Sequence, residues 1–225
     1  MRLFSTCPGL FKQNRHSAQI SQKEVSMIRT LFNQGDNLFK ATRKLDFLAP
    51  LLMRLYLVPI FWMAGTHKIE GFDDVVQWFG NDDWGLGLPF PMLMVILAIG
   101  AEVLGAISLL LGFGLRLMAI PMMFTMVIAM TSVHGEFGWQ AIADPGAPFA
   151  NDRVVASADK KDAIIEILKT HGDYEWLTES GSIVILNNGI EFAATYFILL
   201  LALFFIGSGR YVSIDYLIRR QIEKS

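Results

Sequence analysis

The sequence predicts an all-α fold: an integral membrane four-helix bundle with an extended outer loop between helices three and four. Three observations lead there. Hydrophobic residues make up 53% of the 225-residue chain and charged residues only 18%, with a mean hydropathy of +0.42; soluble globules carry about 25% charged residues. Four apolar stretches each approach the roughly 20 residues a helix needs to cross the hydrocarbon. Lys and Arg gather in three segments that share one side of a membrane only if the spans are even in number.

Taken in order, residues 1–26 are polar and unpatterned and are expected to be a disordered tail. No apolar core of signal-peptide length stands in residues 1–46, and Met27 is an alternative start. In 27–44, Ile28, Leu31, Phe32, Gly35, Leu38 and Phe39 fall on one helical stripe. Arg29, Lys40, Arg43 and Lys44 lie off or beyond it. This pattern predicts an amphipathic interfacial helix, the alternative being a soluble helix packed on the bundle. A four-span domain follows over 45–218, then a basic tail, 219–225. The spans are placed at Phe47 to Gly65, about Pro89 to Gly112, about Leu115 to Val133 and about Ile183 to Gly207. Only Gly112-Phe113-Gly114 joins the second and third.

Orientation follows from Arg29, Lys40, Arg43 and Lys44 before span one, Arg116 after the tight turn, and Arg210, Arg219, Arg220 and Lys224 after span four. The first loop holds Lys68 amid Glu70, Asp73, Asp74, Asp82 and Asp83. The expected location is therefore the inner membrane, multi-pass, with both termini cytoplasmic. The outer loops carry structure of their own. Phe72, Val75, Val76, Trp78, Phe79 and Trp84 suit a membrane interface, and 159–171 reads as a helix within a long loop, 134–181, that folds back as a cap.

Net charge is −2, which gives no case for nucleic acid; the partner that the composition implies is the lipid bilayer. The single cysteine, Cys7, excludes an intrachain disulfide relay. None of His16, His67, His134 and His171 sits mid-span, which disfavours haem, and no metal site is read. Met118, Met122, Met126 and Met130 form a stripe on span three whose plainer use is packing.

Arg54, Glu102 and Glu191 lie within the spans, and an intramembrane charge is expected to face the interior with a partner. By helix rise, Arg54 lies about 10 Å and Glu102 about 15 Å from the basic side, and Glu191 about 24 Å. Arg54, Val58, Phe61, Gly65 and Lys68 share one stripe. Glu102, Gly105, Leu109, Gly112 and Arg116 share another, and Asn188, Glu191 and Thr195 a third. This phasing predicts an Arg54–Glu102 pair below and a Lys68–Glu191 pair above, with His134 and Asn187 or Asn188 near the latter. Such pairs either serve a ligand or fix helix register.

The spacing Arg54-x6-Phe61-x3-Gly65-x2-Lys68, then Glu102-x2-Gly105-x6-Gly112-x3-Arg116, then Glu191 followed by Gly207-Ser-Gly-Arg-Tyr-Val-Ser-Ile-Asp215, resembles the DoxX family from about Leu45 to Asp215. The long loop resembles the subgroup found beside maturation enzymes for ribosomally made, copper-binding peptides. The resemblance implies a four-helix membrane fold, a protein partner encoded nearby, and a subunit of a redox-associated system, quinone-linked or engaged in maturing a metal-binding peptide. The ligand lining is then Arg54, Phe61, Lys68, Glu102, His134 and Glu191. A non-enzymatic assembly factor, carrier or export partner is the alternative, and the sequence leaves open whether the chain is catalytic.

Overall fold

A computed structural model describes Ser26, Met27, Arg29, Thr30, Lys40 and residues 42–225. The tail expected over 1–26 and the interfacial helix expected over 27–44 fall largely outside the described residues. Two compact units are present, 1–46 and 47–225. In the first, Arg43–Leu45 form a 3-10 turn, and Thr30 Oγ1 donates to the Ser26 carbonyl at 2.8 Å.

The second unit contains nine α-helices: α1 Leu48–Glu70, α2 Phe72–Gly80, α3 Pro91–Leu111, α4 Leu115–Ile128, α5 Asp152–Val155, α6 Ser157–His171, α7 Tyr174–Thr178, α8 Glu191–Ile206 and α9 Ile214–Ile222. Three are long and apolar enough to cross a membrane: α1, α3, and α4 with its π-helical continuation Ala129–Val133. Local chemistry explains their limits. Pro91 opens α3, where its missing N–H is no loss. Gly112 ends it in the left-handed region at φ 63°.

The fourth apolar helix is shorter than the sequence suggested. Helix α8 has 16 residues, about 24 Å of rise, and begins at Glu191 rather than Ile183. Asn188 takes φ 63°, and Asn187-Asn188-Gly189 offers the backbone turn-forming alternatives to helix. Residues 185–191 instead run alongside 138–143. The N–H groups of Asn187 and Asn188 donate to the Ala141 carbonyl, and those of Gly189 and Glu191 to the Gln140 and Trp139 carbonyls, at 2.8–2.9 Å.

Helix α1 packs against α3 and α8, and α4 against the same two. Their shared core is Leu57, Phe61, Ala106, Leu109, Leu115, Met122, Leu200 and Leu203. Glycines set the spacing. A Cβ on Gly65 would stand 2.6 Å from Val103 Cγ2, and one on Gly105 2.5 Å from Met122 Sδ, so both let helices meet closely. Met122 is thus a packing residue. The outward faces are apolar too: Leu52, Leu93, Phe124, Ile198 and Phe205 are all exposed, as lipid contact requires.

Candidate functional site

The polar residues of this unit form three groups. The first lies at the hairpin end, where Gly112–Gly114 joins α3 to α4. Arg54 is 1% exposed. Its Nε donates to the Leu109 carbonyl at 2.6 Å and its Nη2 to the Leu110 carbonyl at 2.9 Å. Its Nη1 donates to the Ser208 and Val212 carbonyls, each at 2.8 Å. Leu109 and Leu110 belong to the last turn of α3, and Ser208 and Val212 follow α8. The last carbonyls of a helix lack intrahelical donors and carry the negative end of its dipole. One guanidinium therefore completes the end of α3 and ties it to the turn that follows α8. Asp215 secures the same corner: its Oδ1 accepts from the Gly114 N–H at 2.9 Å and its Oδ2 from Ser208 Oγ at 3.2 Å.

The second group is an ion pair within the helices. Lys68 Nζ stands 2.8 Å from both carboxylate oxygens of Glu102. The Glu102 side chain is 5% exposed and that of Lys68 24%. Lys68 leaves α1 near its last turn and turns back, as helical side chains lean toward their own N-terminus. Glu102 projects from the middle of α3, where a Cβ on Gly65 would stand 3.3 Å from its own Cβ. Phe61, 1% exposed, stands one helical step below Gly65 on the same stripe.

The third group ties α8 to the long loop. Glu191 Oε2 accepts from the Ala141 N–H at 2.9 Å. His134 Nδ1 is hydrogen-bonded to the Asn188 carbonyl at 2.8 Å, just past the π-helical turn. Asn187, 3% exposed, donates through Nδ2 to the Phe137 and Gln140 carbonyls and accepts from Arg153 Nε at 3.2 Å.

Both expected pairings are corrected. Arg54 does not meet Glu102, and Lys68 meets Glu102 rather than Glu191. Antiparallel register is the reason: α3 presents Leu109 and Leu110 to Arg54 and Glu102 to Gly65, eleven residues further along α1, about 16 Å. Glu191 does not lie two turns inside a span but opens α8, where a carboxylate suits the positive end of the helix. The stripes hold in part: Arg54, Phe61 and Gly65 on α1 and Glu102, Gly105, Leu109 and Gly112 on α3 are buried, Val58 and Lys68 are half-buried, and Arg116, past the hairpin, is exposed. Asn188 and Thr195 are exposed, so the third stripe is not interior. Reading the sequence placed Asp215 in a motif without a role and missed Ser208, Gln140 and the structural use of Asn187. The Gly207–Asp215 turn, rich in glycine beside the buried Arg54, was the available signal for Asp215 and Ser208. Among the described residues no three His, Cys, Asp or Glu side chains converge on a common point.

Comparison with known proteins places this geometry in context. Residues 49–135 match the DoxX family model. The chain is 37% identical over 98 residues to "Inner membrane protein YphA" of Escherichia coli (strain K12), covering 44% of this chain and 66% of that protein. It is 31% identical over 83 residues to "Putative oxidoreductase CatD" of Bacillus subtilis (strain 168), covering 37% of this chain and 58% of that protein. The aligned regions thus span less than two thirds of either relative. No solved structure matches the chain. The matched segment contains Arg54, Phe61, Lys68, Glu102 and His134, whereas α8 and the Gly207–Asp215 turn lie beyond it. Three helices of spanning length and this match describe a multi-pass membrane protein.

Proposed function

We propose that this DoxX-like chain is a four-span inner-membrane subunit of a redox-associated system, whose Lys68–Glu102 pair binds the polar head of a quinone-class ligand. The observation that carries the reading is the ion pair itself, buried between two apolar helices yet open on the lysine side. An ammonium donates to a quinone carbonyl. The carboxylate beside it can relay one of the two protons that accompany the two electrons of quinone reduction, first taking it up from water and then passing it to the reduced oxygen, the electrons coming from a partner protein. Phe61 supplies an aromatic neighbour, and His134 a second titratable group toward the long loop. Arg54 and Glu191 hold backbone groups at opposite ends and leave the ligand to Lys68 and Glu102. The relative bearing the name of an oxidoreductase supports the redox reading, and the one named for the inner membrane supports the location.

A second reading has an observation of its own. Both Glu102 oxygens are already taken by Lys68, as in a strut that fixes register. That suits a non-enzymatic carrier, assembly factor or export partner, including one for a copper-binding peptide. A short-chain ubiquinone titrated into the purified full chain separates the two. Lys68→Met is expected to weaken binding about tenfold or more, the worth of a hydrogen bond from a charged group, while Lys68→Arg retains it. Absence of saturable binding to the unaltered chain rejects the quinone reading and leaves the strut.

A further inference from the structure

We propose that α9 is an in-plane docking helix for anionic phospholipid, with Arg219 and Arg220 on the phosphodiester headgroups and Ile214, Leu217, Ile218 and Ile222 in the acyl boundary. The proposal rests on the chain crossing a membrane and is independent of any ligand at Lys68–Glu102.

The position of α9 comes first. The Asp215 N–H donates to the Gly112 carbonyl at 3.1 Å, and Asp215 Oδ1 accepts from the Gly114 N–H. Ser213 caps the helix by accepting from the Tyr216 N–H at 3.3 Å. The first turn of α9 is therefore stapled to the turn between α3 and α4, two helices of spanning length. That turn marks the edge of the bilayer, so α9 starts there.

Its surface comes second. Ile214, Leu217, Ile218 and Ile222 recur at steps of three, one and four and form one apolar stripe, interrupted by Gln221. Leu217 is 52% exposed, Ile218 42% and Ile222 70%, and no residue of the helix is buried. At 100° per residue, Arg219 and Arg220 fall on opposite flanks of that stripe. A helix lying on a membrane places its cations there, because the long stems run along apolar surface while the heads reach the phosphates.

Charge selects the lipid. Residues 210–224 carry Arg210, Arg219, Arg220 and Lys224 against Asp215 and Glu223, and the Asp215 carboxylate is already engaged by Gly114 and Ser208. Arg116 begins the neighbouring helix on the same side of the turn. The excess is cationic, and phosphatidylglycerol, which bears no ammonium, answers it better than phosphatidylethanolamine.

The test uses the full chain with Cys7→Ser, carrying a spin label at Ile218→Cys or at Glu223→Cys. The vesicles contain equal parts of phosphatidylethanolamine and phosphatidylglycerol. The label at 218 is expected to be reached by oxygen and hidden from an aqueous nickel complex, and the label at 223 the reverse. Arg219→Gln with Arg220→Gln should return position 218 to water. In native mass spectrometry the same pair should lower retention of phosphatidylglycerol over phosphatidylcholine by about fivefold for each arginine. Water access at 218 in the unaltered helix overturns the proposal, as does shielding from both reagents, which signals a protein or a second copy on this face. Burial that is indifferent to phosphatidylglycerol and to both arginines overturns the lipid selectivity and with it the proposal.

Discussion

Arg54 holds four carbonyls with one planar group, and that geometry makes its replacement asymmetric. A lysine offers one compact charge and cannot reach four carbonyls that lie in different directions. Arg54→Lys should therefore lower the melting temperature in detergent by several degrees, and Arg54→Met by more, since a stranded buried acceptor costs about 1–3 kcal/mol and each kcal/mol is worth about 2–4 °C in a domain of this size. Gly112 and Gly114 provide a matched control. Both have positive φ, at 63° and 59°, so alanine strains either backbone. Only at Gly112 would the new Cβ also meet Arg54 Cζ at 2.8 Å and Ser213 Cβ at 2.6 Å; nothing lies within 4 Å at Gly114. Gly112→Ala should destabilise clearly more than Gly114→Ala. A double-mutant cycle tests the ion pair: Lys68→Met and Glu102→Gln should couple, whereas Arg54→Met and Glu102→Gln should add. Additivity in the first cycle would remove the Lys68–Glu102 interaction from the energetics. Which side chains face inward was legible from spacing, as Arg54, Phe61, Glu102 and Gly105 attest. Which charges meet was not, because that depends on the offset between two helices, and depth counted from assumed ends cannot supply it.

At the scale of elements, the beginning of α8 illustrates how a polar triplet can override apolar composition. Ile183 to Leu186 is as apolar as a span, yet Asn187, Asn188 and Gly189 divert the backbone into pairing with 138–143. Asn188, in the left-handed region, tolerates glycine but not a β-branched side chain. Asn188→Gly should be close to neutral and Asn188→Val destabilising by more than about 1 kcal/mol. Glu191→Gln removes the charge that faces the Ala141 N–H and the helix dipole, a contribution of about 1 kcal/mol. Faster hydrogen exchange at Ala141, with ubiquinone affinity unchanged, is the expected readout; lost affinity with an intact loop would return Glu191 to the ligand site. The apolar runs of α1, α3 and α4 and the helix over Ser157–His171 could be found from the sequence because their periodicity is local. The α8 boundary could not, since its competitor is a strand-like partner some 50 residues away in the chain.

For the whole molecule, the basic segments of the sequence and its acidic first loop give the proposed orientation its test. A periplasm-active reporter fused after Ser225 should be silent, and one inserted at Asp159 active; the opposite pattern inverts the topology. The Arg54 clamp adds a constraint on the order of events as the chain leaves the ribosome. The first helix enters the membrane carrying a guanidinium whose acceptors at Leu109 and Leu110 are not yet synthesised, and those at Ser208 and Val212 follow more than 150 residues after it. Until then the cation must stay hydrated near the membrane surface or lean on translocation machinery. The nascent protein is therefore a latch without a catch: a chain interrupted at Gly207 would possess every apolar helix and still lack the two carbonyls that close the first onto the last. Quality-control proteases that grip unlatched helices would meet a substrate at every stage but the final one.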